Sequence, residues 1–195
     1  ILKWAQTADG FIARKDFSSK WISNSYSRLL VHQWRGEEAA ILAGTNTVFY
    51  DDPQLTSREM KTQNPVRIIL DRTGKIPVNF FVFDGNVKTI ILTENPQKSS
   101  NPNIEFAYIS FAKNAFVKQL MQFLCERNLI SVFVEGGATL INTFIENNLW
   151  DEARVFTAPV LFHEGIQAPE MPKHFLQNTY MLKQDKLQIY SNVKG

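Results

Sequence analysis

The chain has 195 residues, 44% hydrophobic and 21% charged, the composition of one globular domain with a sizeable core, and fifteen phenylalanines make that core rich in large side chains. A formal charge of +2, carried without any run of basic residues, argues against nucleic acid as a partner. One cysteine, Cys125, rules out an internal disulfide and fits a reducing compartment, and His32, His163 and His174 share no ligand spacing with it or with each other, so no metal site is expected.

No apolar run approaches the roughly 18 residues of a membrane span, and the start lacks a signal-peptide layout, so a cytoplasmic location is expected. The chain opens on Ile1 inside a strand pattern and without Met, as expected of a domain excised from a longer polypeptide.

Residues 1–13 read as a strand, an Asp9-Gly10 turn and a second short extended piece. Lys3 lies within the first strand, where the plain expectation is a side chain snorkelling at a sheet edge. After a polar loop, Ser23 or Ser25 can cap a helix that carries Tyr26, Leu29, Leu30 and Trp34 on one face and Arg28 and Arg35 on its exposed side or last turn. The run 39–44 is a buried strand ending at Gly44, followed by Thr45, Asn46 and Thr47, a place where backbone amides and hydroxyls converge at the carboxyl edge of a sheet. Asp51, Asp52 and Pro53 form an Asp-Pro turn, in which paired carboxylates serve either as caps for backbone N–H groups or in acid-base chemistry.

Residues 66–72 and 87–93 are two more strands of the continuously apolar, buried type, and 104–110 is a further one. From 112 to 127 apolar residues recur at helical spacing, with Cys125 read as core. The run 154–162 is a strand with an internal Pro159, which marks an edge or a bulge. The tail, 180–192, is a strand-turn-strand with Gln184 and Asp185 near its turn.

The stretch 130–148 organises the rest. A β-branched and aromatic run, 130–134, reads as a buried parallel strand, and Leu140, Ile141, Phe144, Ile145 and Leu149 fall on one face of a helix. Gly136 and Gly137 are then the strand-to-helix turn. Such a turn is either a bare connection or an anion site, because glycines let backbone approach a ligand and the helix start offers amides and a positive dipole end. Glu135 stands at the carboxyl end of the strand, where open α/β sheets bind ligands.

There is no G-x-G-x-x-G, no G-x-x-x-x-G-K-[ST], and no H-x-E with P-C-x-x-C, which removes the usual dinucleotide fingerprint, the P-loop and the zinc deaminase site. What remains is an α/β protein with a mostly parallel central sheet, an antiparallel C-terminal edge and flanking helices, and two glycine-containing anion sites on one sheet edge.

Taken together, the motifs resemble the C-terminal reductase domain of the RibD family of riboflavin-biosynthesis deaminase-reductases. The family pattern K-x-A-x-S-x-D-G stands at 3–10, S-x-W-I at 19–22, a helix-ending arginine at Arg35, G-x-x-T at 44–47, D-D-P-x-L-T-x-R at 51–58, P-x-R-x-x-x-D at 65–71, V-E-G-G at 134–137 and A-P-x-L at 158–161. Thr7-Ala8 and Phe162-His163 depart from the family's usual residues. The resemblance implies a single dihydrofolate-reductase-like domain, a homodimer, an upstream deaminase domain in the intact chain, NADPH as cofactor, and 5-amino-6-(5-phosphoribosylamino)uracil as substrate, its ribosyl group being reduced to ribityl. It assigns cofactor contacts to Ala5, Trp21, Thr47, Asp51 and the run Gly137, Ala138, Thr139, Leu140, Ile141, Asn142 and Thr143, and substrate contacts to Ser19, Arg35, Leu55, Arg58 and Glu135. Arg72, which follows the last residue of P-x-R-x-x-x-D, is a further cofactor candidate and, with Lys75, a candidate for a 2′-phosphate.

Hydride would be accepted at a carbon of the ring-opened ribosylamine, with a proton to the adjacent nitrogen, supplied either by water or by a carboxyl group, for which Asp51 and Glu135 are the candidates. Two rivals stand beside this reading. One is a pterin or other pyrimidine reductase of the same fold, distinguished by turnover of dihydrofolate. The other is a non-catalytic dimerisation domain, distinguished by failure to bind NADPH.

Overall fold

The structure, a computed structural model, describes residues 1–19, 22–113 and 115–192. In chain order its elements are β1 (Leu2–Thr7), β2 (Phe11–Ala13), α1 (Ser25–Glu37), β3 (Ala40–Ala43), α2 (Thr45–Asp51), β4 (Val66–Leu70), β5 (Thr89–Thr93) and β6 (Ile104–Tyr108). Then follow α3 (Phe116–Glu126), β7 (Val132–Glu135), α4 (Ala138–Glu146), β8 (Glu152–Ala158), β9 (Ile166–Gln167), β10 (Leu176–Leu182) and β11 (Asp185–Ser191). Among the described residues no helix is long and apolar enough to cross a membrane. The chain forms two compact units, Ile1–Val31 with Val134–Gly195, and His32–Phe133.

In the first unit the strand order is β10-β11-β8-β1-β7. β1 runs parallel to β7 and β8, while β11 is antiparallel to β8 and β10 to β11, which gives the expected antiparallel C-terminal edge. β8 lies between β1 and β11 and ends at Ala158, so Pro159 falls just past an interior strand rather than inside an edge strand. Proline has no amide to donate, so a ladder with partners on both sides has to stop before it. The turn after β1 is tied down by Asp9, whose carboxylate accepts from the Thr7 hydroxyl at 2.5 Å and from the amides of His163 and Phe162. The Thr7 bond, ahead of those amides, holds the Asp9 carboxyl below its ordinary value. Thr7 also accepts from the Phe11 amide at 3.0 Å, so the hydroxyl needed at this departure from the family pattern is present.

The first helix corrects two expectations. Its cap is Asn24, whose side-chain oxygen accepts from the amides of Tyr26 and Ser27, and neither Ser23 nor Ser25 serves. Its buried residues are Ser27, Val31, His32 and Trp34, whereas Tyr26 and Leu29 are exposed. The polar Ser27 is tolerated inside because it donates to Asp185 at 2.6 Å, and the same carboxylate accepts from the Asn24 amide. Tyr26 instead lies against the Lys183 ammonium, 4.0 Å from its ring centroid.

In the second unit β3, β4, β5 and β6 are neighbours in that order, all parallel. β3, β5 and all but the first residue of β4 are fully inside, which is why these strands read as unbroken apolar runs. α3 buries Leu120 and Leu124, and Cys125 is exposed, against the expectation of a core thiol. One residue past Leu124 is about 100° further round the helix, which turns Cys125 out of the buried stripe. α3 ends on Asn128 at φ 54, with Leu129 donating to Leu124 and Asn128 to Cys125. In the first unit α4 ends in the same way on Asn148, and asparagine is the residue besides glycine that accepts this left-handed position at a helix end.

Candidate functional site

β7 closes on Glu135, which is 9% exposed. Its register partner on β1 is Lys3, and the Lys3 ammonium lies 3.7 Å from a Glu135 carboxylate oxygen and 6.0 Å from the centroid of Phe156. Lys3 therefore sits on an interior strand opposite a carboxylate rather than snorkelling at an edge. Spacing along the chain could not reveal this, because it depends on the register of two strands far apart in sequence.

Gly136 and Gly137 follow at φ 131 and φ 62, and Gly137, with ψ 121, is the residue before α4. That combination lies outside the regions open to L-residues with a side chain, so glycine is required there by the backbone itself. The first intrahelical bond runs from the Ile141 amide to the Gly137 carbonyl at 3.2 Å, and the amides of Ala138, Thr139 and Leu140 precede it. A helix start of this kind fits a pyrophosphate. Within the assigned run, Leu140 and Ile141 bury their side chains, so any contact they make with a ligand is through backbone. The Thr143 hydroxyl donates back to Thr139, and Asn142 is half-buried. Ala5, half-buried, lies further along β1, opposite Phe156 of β8. Ser19 is half-buried, and Trp21 lies outside the described residues.

The second unit carries the remaining assigned residues. Thr45 opens α2 just after β3 and donates its hydroxyl to the carbonyl of Leu70, the last residue of β4, at 2.6 Å. Thr47 is half-buried in the same short helix and Asp51 is its last residue. Asp52 caps the helix end at φ 40 and accepts from the Phe81 amide at 2.8 Å, the backbone-capping role open to one of the paired carboxylates. α2 itself was not expected: its seven residues include β-branched side chains and its start has no side-chain cap.

Beyond it, Leu55 is buried and held at φ 53, a conformation that costs a non-glycine residue about 1–3 kcal/mol. The Thr56 carbonyl accepts from Arg35 at 3.1 Å and faces the Nδ1 of His32 at 2.8 Å. Arg35 is thus a half-buried anchor for the 51–58 loop rather than a solvent-facing helix-end cation. Arg58 is exposed, its Nε 3.7 Å from the carboxylate of its neighbour Glu59. Burial, followed by the Arg35 charge, keeps the His32 ring below its ordinary pKa.

Asp71, fully buried, is explained by the turn it builds, since its two oxygens accept from the amides of Lys75 and Ile76 at 2.9 and 3.0 Å. Arg72 is exposed and pairs through its Nε with Glu94 at 2.7 Å. Lys75 lies over the Phe49 ring at 4.6 Å. Arg67, in the middle of the same motif, has no exposed surface and was missed as a structural centre because arginine in a strand reads as solvent-facing. Among the described residues no group of His, Cys, Asp and Glu could hold a metal ion.

The RibD C-terminal domain family matches residues 1–192. The riboflavin biosynthesis protein RibD of Aquifex aeolicus (strain VF5) is 33% identical over 190 residues, which cover 96% of this chain and 53% of that one. Among solved structures, a diaminohydroxyphosphoribosylaminopyrimidine deaminase/5-amino-6-(5-phosphoribosylamino)uracil reductase from Thermotoga maritima is 32% identical with a TM-score of 0.83, covering 97% of this chain and 55% of that one. The Saccharomyces cerevisiae riboflavin biosynthesis reductase Rib7 shares 19% identity at a TM-score of 0.76, covering 97% of this chain and 87% of that one, a likeness of fold alone. The chain spans about half the length of the first relatives it matches.

Proposed function

Because the chain belongs to the RibD C-terminal domain family, we propose that it reduces the ribosyl group of 5-amino-6-(5-phosphoribosylamino)uracil to ribityl with a pyridine nucleotide, NADPH, as hydride donor. The observation that carries the reading is the junction of β7 and α4: a buried carboxylate, two positive-φ glycines and a helix start follow one another at the end of a parallel strand. Open α/β sheets bind nucleotides at such ends. The relative from Thermotoga maritima bears both reductase and deaminase in its name and is nearly twice as long as this chain, which supports an upstream deaminase domain in the full polypeptide. A single reductase domain, a homodimer and a cytoplasmic location complete the proposal.

In this reading the backbone of Gly137, Ala138 and Thr139 holds the pyrophosphate, and Ala5, Trp21, Thr47, Asp51, Leu140, Ile141, Asn142 and Thr143 complete the contacts to the nucleotide. Arg72 and Lys75 are proposed for the 2′-phosphate; the Arg72 Nε is engaged by Glu94, which leaves the two Nη groups for an anion. Bound there, the nicotinamide supplies hydride to the ribosyl carbon. Ser19 and Leu55 bound the substrate. Glu135 accepts hydrogen bonds from its donors, with the Lys3 ammonium 3.7 Å from the same carboxylate. Glu135 and Asp51 are the proposed groups for moving the proton that the nitrogen receives.

Glu135→Gln keeps shape but replaces an acceptor by a donor beside Lys3, so kcat/KM should fall by about 100-fold while the NADPH dissociation constant stays within about twofold. Near-normal turnover would leave Glu135 a structural partner of Lys3.

Arg58 is proposed for the substrate phosphate, with Arg35 beside it. Loss of one charge-assisted contact, about 1.5–3 kcal/mol, lowers kcat/KM roughly 10- to 150-fold. Arg58→Lys restores charge but not the fork and gives partial rescue. Arg58 gives the cleaner test, because Arg35→Ala also removes a hydrogen bond to Thr56. An equal loss of kcat/KM with the same compound lacking its phosphate would place the phosphate elsewhere.

A further inference from the structure

We propose that His32 is a positioning residue for phosphate recognition, which acts through the Thr56 carbonyl to set the loop that carries Arg58. The inference rests on the proposed role of Arg58 and extends it to a side chain that has no part in the assigned site.

The end of α1 meets the 51–64 loop along one face. His32, Arg35 and Gly36 are three and four residues apart, which places them side by side on the helix. His32 and Arg35 both reach the Thr56 carbonyl, and Gly36 stands so close to Thr62 that any β-carbon would collide with its side chain. The loop needs such a hold. Asp52 and Leu55 both have positive φ without being glycine, a backbone that persists only where the surroundings enforce it. The Thr56 hydroxyl is buried and has no hydrogen-bond partner among the described residues, so at this residue the hold comes through the carbonyl. On the far side, Ser57 is pinned by its amide and hydroxyl to the Asn64 side chain at 2.9 and 3.1 Å. Arg58 follows directly, and its own side chain pairs with the adjacent Glu59, which does not fix it to the fold.

The chemistry of the ring fits the task. A carbonyl oxygen 2.8 Å from Nδ1 requires the proton on Nδ1, so His32 is a donor there. The charged groups that act on it are Arg35, Arg58 and Glu59, and burial together with the arginines favours the neutral ring. A neutral donor holds the carbonyl without adding a third positive charge beside the two arginines, and the ring is short and stiff enough to fix distance as well as bonding.

The test compares His32→Asn, whose amide can stand where Nδ1 stands, with His32→Gln, which places its amide near the Nε2 position, and with His32→Leu. Steady-state constants are measured with 5-amino-6-(5-phosphoribosylamino)uracil and with the same compound lacking its phosphate, alongside Arg58→Ala and thermal melting. We expect His32→Leu and His32→Gln to raise KM for the phosphorylated substrate roughly 5- to 10-fold, the worth of one hydrogen bond, with kcat and the dephosphorylated substrate little changed. His32→Asn should recover most of the loss. Equal behaviour of Asn and Gln, or an equal loss with both substrates, overturns the positioning role even if all variants melt lower. If Arg58→Ala discriminates between the substrates while the His32 variants do not, the inference alone fails; if Arg58→Ala does not discriminate either, the phosphate assignment fails and takes the inference with it.

Discussion

Gly137→Val abolishes nucleotide binding in this account, with the NADPH dissociation constant rising about 100-fold or more, close to 3 kcal/mol. Two causes act together. A β-branched residue cannot hold φ 62 and ψ 121, and its side chain would occupy the space where backbone and pyrophosphate meet. Because the strain could also loosen α4, Ala138→Asp separates binding from folding. A carboxylate in the first turn favours the helix through its dipole, yet it repels a pyrophosphate at the same amides. Fluorescence titration with NADPH and thermal melting should therefore show Ala138→Asp melting at or above the parent while binding at least tenfold more weakly. Unchanged affinity in both variants would remove the nucleotide from this turn.

The largest loss of stability is expected from Arg67→Met. The guanidinium donates from Nε to Thr89 at 2.8 Å, from Nη1 to the carbonyls of Gln54 and Phe81 at 3.2 and 2.9 Å, and from Nη2 to Asp84 and the Val87 carbonyl at 2.8 and 3.2 Å. All five of its N–H groups are therefore satisfied, which is what lets a charge reside with no exposed surface. Methionine fills part of the volume but takes the guanidinium donors from the Gln54, Phe81 and Val87 carbonyls, the Thr89 hydroxyl and the Asp84 carboxylate, of which Phe81, Val87 and Asp84 keep weaker neutral partners. The cost is about 3–5 kcal/mol, or roughly 6–20 °C in Tm for a chain of this size.

Acid sensitivity follows from the same pair. Burial pushes the Asp84 carboxyl up, but the hydrogen bonds from Arg67 and Asn86 outweigh it and hold the group below its ordinary 3.8. The contribution is thus complete above pH 3.8 and is lost only as pH falls through the lower folded value. Melting of Arg67→Met at neutral pH within a degree or two of the parent would show that the network does not hold this unit together.

How far the amino-acid pattern reached depended on what each feature requires. Parallel strands buried on both faces leave continuous apolar runs, so β3, β4 and β5 were readable, and the Gly136-Gly137 turn was readable because few residues tolerate its backbone. Helix faces judged by apolar spacing alone failed on α1, where the interior accepts Ser27 because Asp185, far along the chain, takes its proton donor. Lys3 opposite Glu135 and His32 against Thr56 are juxtapositions of the same kind, set by register and packing rather than by neighbours in sequence. The motif at 65–71 shows the reverse limit. It marks a constrained position at Arg67 and Asp71, but only the hydrogen bonds reveal that both shape the fold, while the exposed Arg72 beside them pairs with Glu94.

The most direct measurement uses purified protein, NADPH and 5-amino-6-(5-phosphoribosylamino)uracil, with oxidation of the nucleotide followed by absorbance and the product by mass. One NADPH should be consumed per molecule of ribityl product, heavier than the substrate by one hydride and one proton, and dihydrofolate should cause no oxidation. Consumption of NADPH with dihydrofolate but not with the phosphoribosylaminopyrimidine, or no consumption with either by a protein that melts cooperatively, would contradict the proposed function.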